Sequence, residues 1–176
     1  MEGNFKNQKE ALAMAIDMEK EGRSFYLKTA EKATDKMTKD VFNFLANEEL
    51  KHIDAIKVFY DGEIAGKPTD FDKVLAGRTP EAAKEAIAKL FAGLGEKAPV
   101  DKPDLDAYSF ARDFEKKGEK FYLAAASKAA DPNVKKLFTF LVDEESRHFQ
   151  MIDDSMAFLE NPEEWFHRQE KWHVEG

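Results

Sequence analysis

The chain has 176 residues, 43% hydrophobic and 35% charged, with no cysteine and a net charge of −8. That size supports one domain with its own core, and the missing cysteine excludes disulfides, thiolate zinc sites, cysteine-ligated iron–sulfur clusters and cysteine nucleophiles. The acidic balance is the wrong sign for nucleic acid, no apolar run reaches the roughly 18 residues of a membrane span, and the polar start lacks a signal-peptide pattern. A soluble, cytoplasmic protein is expected, with no nucleic-acid or membrane partner.

The first predicted helix covers about 6–34. Leu12, Ala15, Glu19, Gly22, Tyr26 and Ala33 recur at intervals of three and four residues, with Thr29 filling the gap, so they share one face. Asp35 is a natural N-cap for a second helix over about 37–61, whose face carries Phe42, Leu45, Glu49, His52, Ile56 and Phe59. A long connection over 62–103 follows, punctuated by glycines and prolines from Gly62 to Pro103, with Thr79-Pro80-Glu81 opening a short helix to about Phe91. The third helix, about 104–130, presents Tyr108, Ala111, Glu115, Gly118, Tyr122, Ala125 and Ala129. Asp131-Pro132 then caps and starts the fourth, about 132–160, with Phe138, Leu141, Glu145, His148 and Ile152 on one face. A tail occupies 161–176.

These four helices are two copies of one unit. Ala15–Ile56 aligns without a gap on Ala111–Ile152, and 20 of the 42 pairs are identical, where composition alone gives about 3. Two repeated helix pairs, about 6–61 and 104–160, predict an all-α four-helix bundle over 1–160. A connection as long as 62–103 has a reason if it spans the bundle lengthwise, which makes the second and third helices parallel.

Each apolar stripe is interrupted at its centre by ionisable residues: Glu19, Glu49 and His52 in one repeat, Glu115, Glu145 and His148 in the other. Burying one unpaired carboxylate costs several kcal/mol. A pair of divalent cations offsets four carboxylates at once. In Glu-x-x-His both side chains lie on one face a turn apart and reach an ion beside the helix, and oxygen with imidazole donors suits iron or manganese, with zinc sharing the set. The Glu-x-x-His at Glu164–His167 has no repeat mate and no apolar partner stripe, so it reads as surface; neither His167 nor His173 is given a role.

Residues beside the ligands have expected supporting roles. Glu48 and Glu144 are turned about 100° from the ligand glutamates and are placed to accept the N–H of the opposite repeat's histidine. Tyr26 and Tyr122, two turns beyond Glu19 and Glu115, are expected to pack in the core and hydrogen-bond a carboxylate, with a redox role as the alternative. Gly22 and Gly118 each cost roughly 1 kcal/mol in a helix; either close helix packing or open volume beside the metals accounts for them.

The Glu…Glu-x-x-His repeat, the tyrosine after each lone glutamate, the crossover helix and the Asn161-Pro162-Glu-Glu-Trp-Phe exit resemble the rubrerythrin-like branch of the ferritin-like superfamily. The resemblance implies a di-iron centre on Glu19, Glu49, His52, Glu115, Glu145 and His148, reduction of hydrogen peroxide in protection against oxidative stress, and a homodimer. It departs from full-length rubrerythrin in two places. The four-cysteine rubredoxin domain is missing, so electrons come from a separate protein such as a rubredoxin. Gly118 stands where rubrerythrins carry a further glutamate, with Glu119 off that face, so a more symmetric centre is expected.

The leading expectation is therefore a di-iron oxidoreductase acting on peroxide or dioxygen. A ferroxidase or iron-handling protein, and a non-catalytic metal-binding bundle, are the alternatives.

Overall fold

The computed structural model describes residues 5–78, 85, 88–89, 102–162 and 164–165, the side chains of 102–104 apart. Four long helices dominate: α1 (Gln8–Lys32), α2 (Lys36–Ala65), α4 (Lys102–Lys128) and α5 (Pro132–Glu160), with a single-turn α3 (Phe71–Val74) after α2. There is no strand among the described residues.

The starts follow the capping chemistry. The Asn7 side chain accepts from Glu10 N at 2.9 Å and that of Asp35 from Thr38 N at 2.8 Å. Asp131 accepts from Asn133 N at 2.7 Å and Val134 N at 3.4 Å, with Pro132 in the first turn. Each cap satisfies donors that have no intrahelical partner.

The connection differs from its expected form in two ways. Helix α2 runs past Gly62 to Ala65 and ends where Gly66 takes φ 63°, a left-handed conformation that glycine adopts without strain. Gly62 serves close packing instead: a Cβ there would collide with the Thr69 hydroxyl and meet Lys67 O at 2.9 Å. The second difference is α3, capped by Asp70 and held to the start of α5 by Phe71 N donating to Asn133 Oδ1 at 3.3 Å. Further on, Arg78 Nη2 donates to Lys51 O at 3.0 Å, midway along α2. The chain therefore returns along the bundle, as a lengthwise connection requires. Glu85, Ala88 and Lys89 are helical; the rest of the helix expected from Thr79 to Phe91 lies outside the described residues, as do His167 and His173.

Residue pairings fix the topology. Tyr26 meets Glu115 while Tyr122 meets Glu19, so α1 and α4 are antiparallel. His52 lies by Glu144 and Glu145, and His148 by Glu49, so α2 and α5 are antiparallel as well. Since each pair is itself a hairpin, α2 and α4 run parallel, as the length of the connection implied.

Two apolar clusters fill the interior. One gathers Leu12, Ile56, Phe59, Leu137, Phe138 and Leu141; the other gathers Val41, Phe42, Leu45, Tyr108, Ile152 and Phe158. Burial of this surface, at roughly 25 cal/mol per Å², drives assembly of the bundle. The ionisable residues form a layer between the clusters. No helix among the described residues is long and apolar enough to cross a membrane.

Candidate metal centre

Each helix delivers its share of the layer because the 3,4 spacing keeps glutamate and histidine in register with the apolar stripe. All six expected ligands are buried: Glu19 2%, Glu49 1%, His52 1%, Glu115 0%, Glu145 2% and His148 3% exposed. They converge. His52 Nδ1 lies 3.4 Å from Glu19 Oε2, 3.3 Å from Glu49 Oε2 and 4.0 Å from Glu145 Oε1. His148 Nδ1 lies 3.7 Å from Glu49 Oε1 and 3.6 Å from Glu115 Oε2. The imidazoles stack with centroids 5.3 Å apart.

The tyrosines divide the work of the lone glutamates. Tyr26 Oη donates to Glu115 Oε1 and Tyr122 Oη to Glu19 Oε1, each across to the other repeat. One oxygen of each carboxylate is thereby fixed, and the other faces a histidine. Both phenol pKa values are pushed well up, first by burial and then by the carboxylate each one binds, so the hydroxyls stay protonated donors.

Both oxygens of Glu49, both ring nitrogens of His52, Glu115 Oε2 and His148 Nδ1 are buried without a hydrogen-bond partner. Buried polar atoms are ordinarily paired, and these orphans belong to the one layer in which they converge. One donor atom each from Glu19, Glu49, His52 and Glu145 fall within 4.8 Å of one another, and so do one each from Glu49, Glu115 and His148. The chemistry of the set, carboxylate with imidazole, suits first-row divalent ions. The residues fit the group.

Without cations the layer holds protons instead. Burial, then the charge of Glu19, pushes Glu49 well above the carboxylate range; burial and Glu115 do the same to Glu145. Burial also opposes the charge on their partners. For Glu19 it is outweighed by the neighbouring Glu49 carboxyl and by His52, which bring its pKa down to about 2; Glu115 is lowered likewise by Glu145 and His148. Each repeat thus presents one protonated and one ionised carboxylate. Burial disfavours a charged His52, but Glu19 and Glu144 raise it to about 10.

Outside the ligands, the repeats diverge. Glu144 Oε2 faces His52 Nε2 at 3.7 Å, on the expected side of the ring but beyond hydrogen-bond length, while Arg147 Nη2 grips Glu144 Oε1 at 2.5 Å. Glu48 does not do the same for His148: it pairs with Lys51 Nζ at 2.5 Å. The reason lies one turn on. Glu48 and Glu144 are similarly covered, at 14% and 10%, but their partners differ: Lys51, 53% exposed, is a point charge, and Arg147, 20% exposed, offers a planar fork that fixes one carboxylate oxygen. Arg147 was not among the residues singled out from the sequence, and the Lys51-to-Arg147 change between repeats is the signal for it.

The glycines serve close packing. A Cβ on Gly22 would sit 2.6 Å from the Phe114 ring, and one on Gly118 would sit 2.8 Å from Glu145 Oε2. Neither has open volume where its side chain would be. In the tail, Glu164 pairs with the Asn161 side chain at 3.1 Å.

A sequence model of a family described as ferritin-like domain matches residues 4–157. A solved structure titled a hypothetical protein from Pyrococcus furiosus is similar at 26% identity and a TM-score of 0.61, covering 87% of this chain and 90% of that one. No curated protein matches.

Proposed function

From a chain that belongs to the ferritin-like domain family, we propose a rubrerythrin-like di-iron oxidoreductase that reduces hydrogen peroxide or dioxygen with electrons from an external donor. In the peroxide reaction the O–O bond is cleaved, two electrons and two protons are consumed, and two waters form. The carrying observation is the layer of six convergent, buried and largely orphaned donors between two apolar clusters.

Glu19, Glu49, His52, Glu115, Glu145 and His148 would hold the ions. A bound pair of iron ions supplies the two reducing equivalents and Lewis acidity. Tyr26 and Tyr122 set which oxygen of Glu115 and Glu19 faces the centre. Glu49 and Glu145, with their raised pKa values, release their protons as ions enter and take them back as ions leave. The clusters on either side exclude bulk water, which keeps protons and oxidant from leaking into side reactions. The electrons come from an external donor, for which a rubredoxin suits the role, and the assembly is a homodimer.

Stopped-flow mixing of the anaerobic diferrous protein with peroxide tests the reading. Oxidation of two irons per chain, well ahead of free ferrous ion, is expected; a rate equal to that of free ferrous ion would overturn it. Oxidation of many irons per chain would assign iron storage instead.

A further inference from the structure

The two halves of the centre are not interchangeable, and the differences all favour the same half. Apart from a group in which His52 and His148 share Glu144, the His52 group draws on four residues, Glu19, Glu49, His52 and Glu145, whereas the His148 group draws on three, Glu49, Glu115 and His148. Three carboxylates therefore meet the first ring and two the second. Glu145 reaches its place because Gly118 has no side chain where the carboxylate lies, while the equivalent space over Gly22 is taken by the Phe114 ring. Behind His52, Glu144 faces Nε2 at 3.7 Å and is itself held by Arg147, while Glu48 is turned to Lys51.

We propose that the centre loads in a fixed order, the His52 donor set taking the first ion and the His148 set the second, with Glu144 the positioning residue that sets the order. The proposal rests on the metal-centre reading above and adds to it an assignment of each half. Its chemistry is that of a carboxylate behind a metal-binding imidazole. A negative group facing Nε2 keeps the proton on that nitrogen, presents Nδ1 with its lone pair to the ion, and makes the ring a stronger donor. Arg147 holds Glu144 in place through its guanidinium, with Oε1 occupied and Oε2 left toward His52. His148 has no such support from Glu48, and its donor set carries one carboxylate fewer.

Zinc titration of apo protein labelled with ¹⁵N-histidine reads the order directly, because each ring nitrogen reports its own proton or metal. Signals are assigned by single substitution of the four histidines. Up to one equivalent, His52 Nδ1 is expected to shift while Nε2 keeps its proton; His148 responds only in the second equivalent. In Glu144→Gln the first step weakens about 10- to 100-fold, the second is unmoved, and the two rings respond together. Glu48→Gln leaves the order intact. Wild-type rings that shift in parallel, or an order that survives Glu144→Gln, overturn the proposal. So does loss of the Nε2 proton of His52 with a third equivalent, which would make Glu144 a ligand in a group with His52 and His148. If Glu144→Gln does not fold, the wild-type titration still decides the order, and Arg147→Gln tests the support. Absence of any zinc response would instead remove the metal centre itself.

Discussion

Glu19, Glu49 and His52 in the first repeat and Glu115, Glu145 and His148 in the second hold matching positions, and Tyr26 and Tyr122 bind the opposite repeat's carboxylate in the same way. One position outward the repeats part: Glu144 faces His52 as well as Arg147 while Glu48 pairs with Lys51, and Phe114 covers Gly22 while Glu145 covers Gly118. Residues that share the centre are tied to each other through its charge balance, so a change in one strands a buried charge. Residues a layer away pay no such penalty and have diverged. The two repeats match in the positions of the six donors and in the tyrosine bonds, and differ in how many carboxylates meet each ring.

On the di-iron reading, removing the ions is the largest perturbation available and acts on both halves at once. With free metal 100-fold above its dissociation constants, binding contributes about 2.7 kcal/mol per site. For a chain of this size, chelation is expected to lower the melting temperature by about 10–20 °C. Calorimetry with and without chelator checks this, and an unchanged transition would leave the layer without its counterions.

The pH response of the metal-free protein has a definite sign. His52 has its pKa raised from 6.5 to about 10, so its contribution to stability is full below 6.5 and is lost as pH rises through 10. Glu49 and Glu145, raised by burial and then by their carboxylate partners, contribute most below 4.5 and lose ground as pH rises. Glu19, lowered to about 2, and Glu115 lose their contribution only as pH falls below 4.5. Between pH 6.5 and 10 the melting temperature of the metal-free protein should therefore fall. Metal affinity should climb over the same range, because the same protons must leave; an indicator dye will record acid released on metal addition.

The tyrosine pair tests the equivalence of the inner layer. Tyr26→Phe and Tyr122→Phe each remove one hydrogen bond to a buried carboxylate and should cost about 1.5–3 kcal/mol apiece. Urea melts of the metal-free variants check it, and a gap between them of more than about 1 kcal/mol would break the symmetry of the centre. The glycine pair tests the asymmetry of the next layer. Gly118→Ala meets the end of the flexible Glu145 side chain and should weaken metal binding with little loss of stability. Gly22→Ala meets the stiff Phe114 ring, and overpacking of about 1–3 kcal/mol outweighs the roughly 1 kcal/mol gained in helix propensity.

The sequence made the inner layer readable because charged residues in the middle of apolar stripes have so few explanations. The duplication carries each residue of one half onto the other, and the six residues so named are buried close together. The features it did not reveal depend on contacts between elements. Gly62 reads as a helix stop but is needed where Thr69 folds back against α2, so the helix continues to Ala65. Glu48 and Glu144 are identical in type and register, and only the exposure of Lys51 against that of Arg147 separates their fates. Phe114 and its repeat mate Met18 are both apolar, and nothing in their spacing says that one of them shields a glycine.

The smallest expected effect lies at the ends of the units, where the repeats share an aspartate N-cap in different settings. Asp131 accepts from two backbone donors, Asn133 N and Val134 N, ahead of Pro132; Asp35 accepts from Thr38 N alone. Replacement by alanine should cost about 1 kcal/mol at Asp35 and somewhat more at Asp131, within the range of about 0.5–2 kcal/mol for such caps. The proline works the other way: its fixed φ favours the first turn whether or not the cap is present. Urea melts of the two variants therefore weigh a second hydrogen bond against a preset backbone angle. A larger loss at Asp35 would mean that Pro132 holds the start of α5 nearly unaided, and that the second repeat has shifted part of its capping from side chain to backbone.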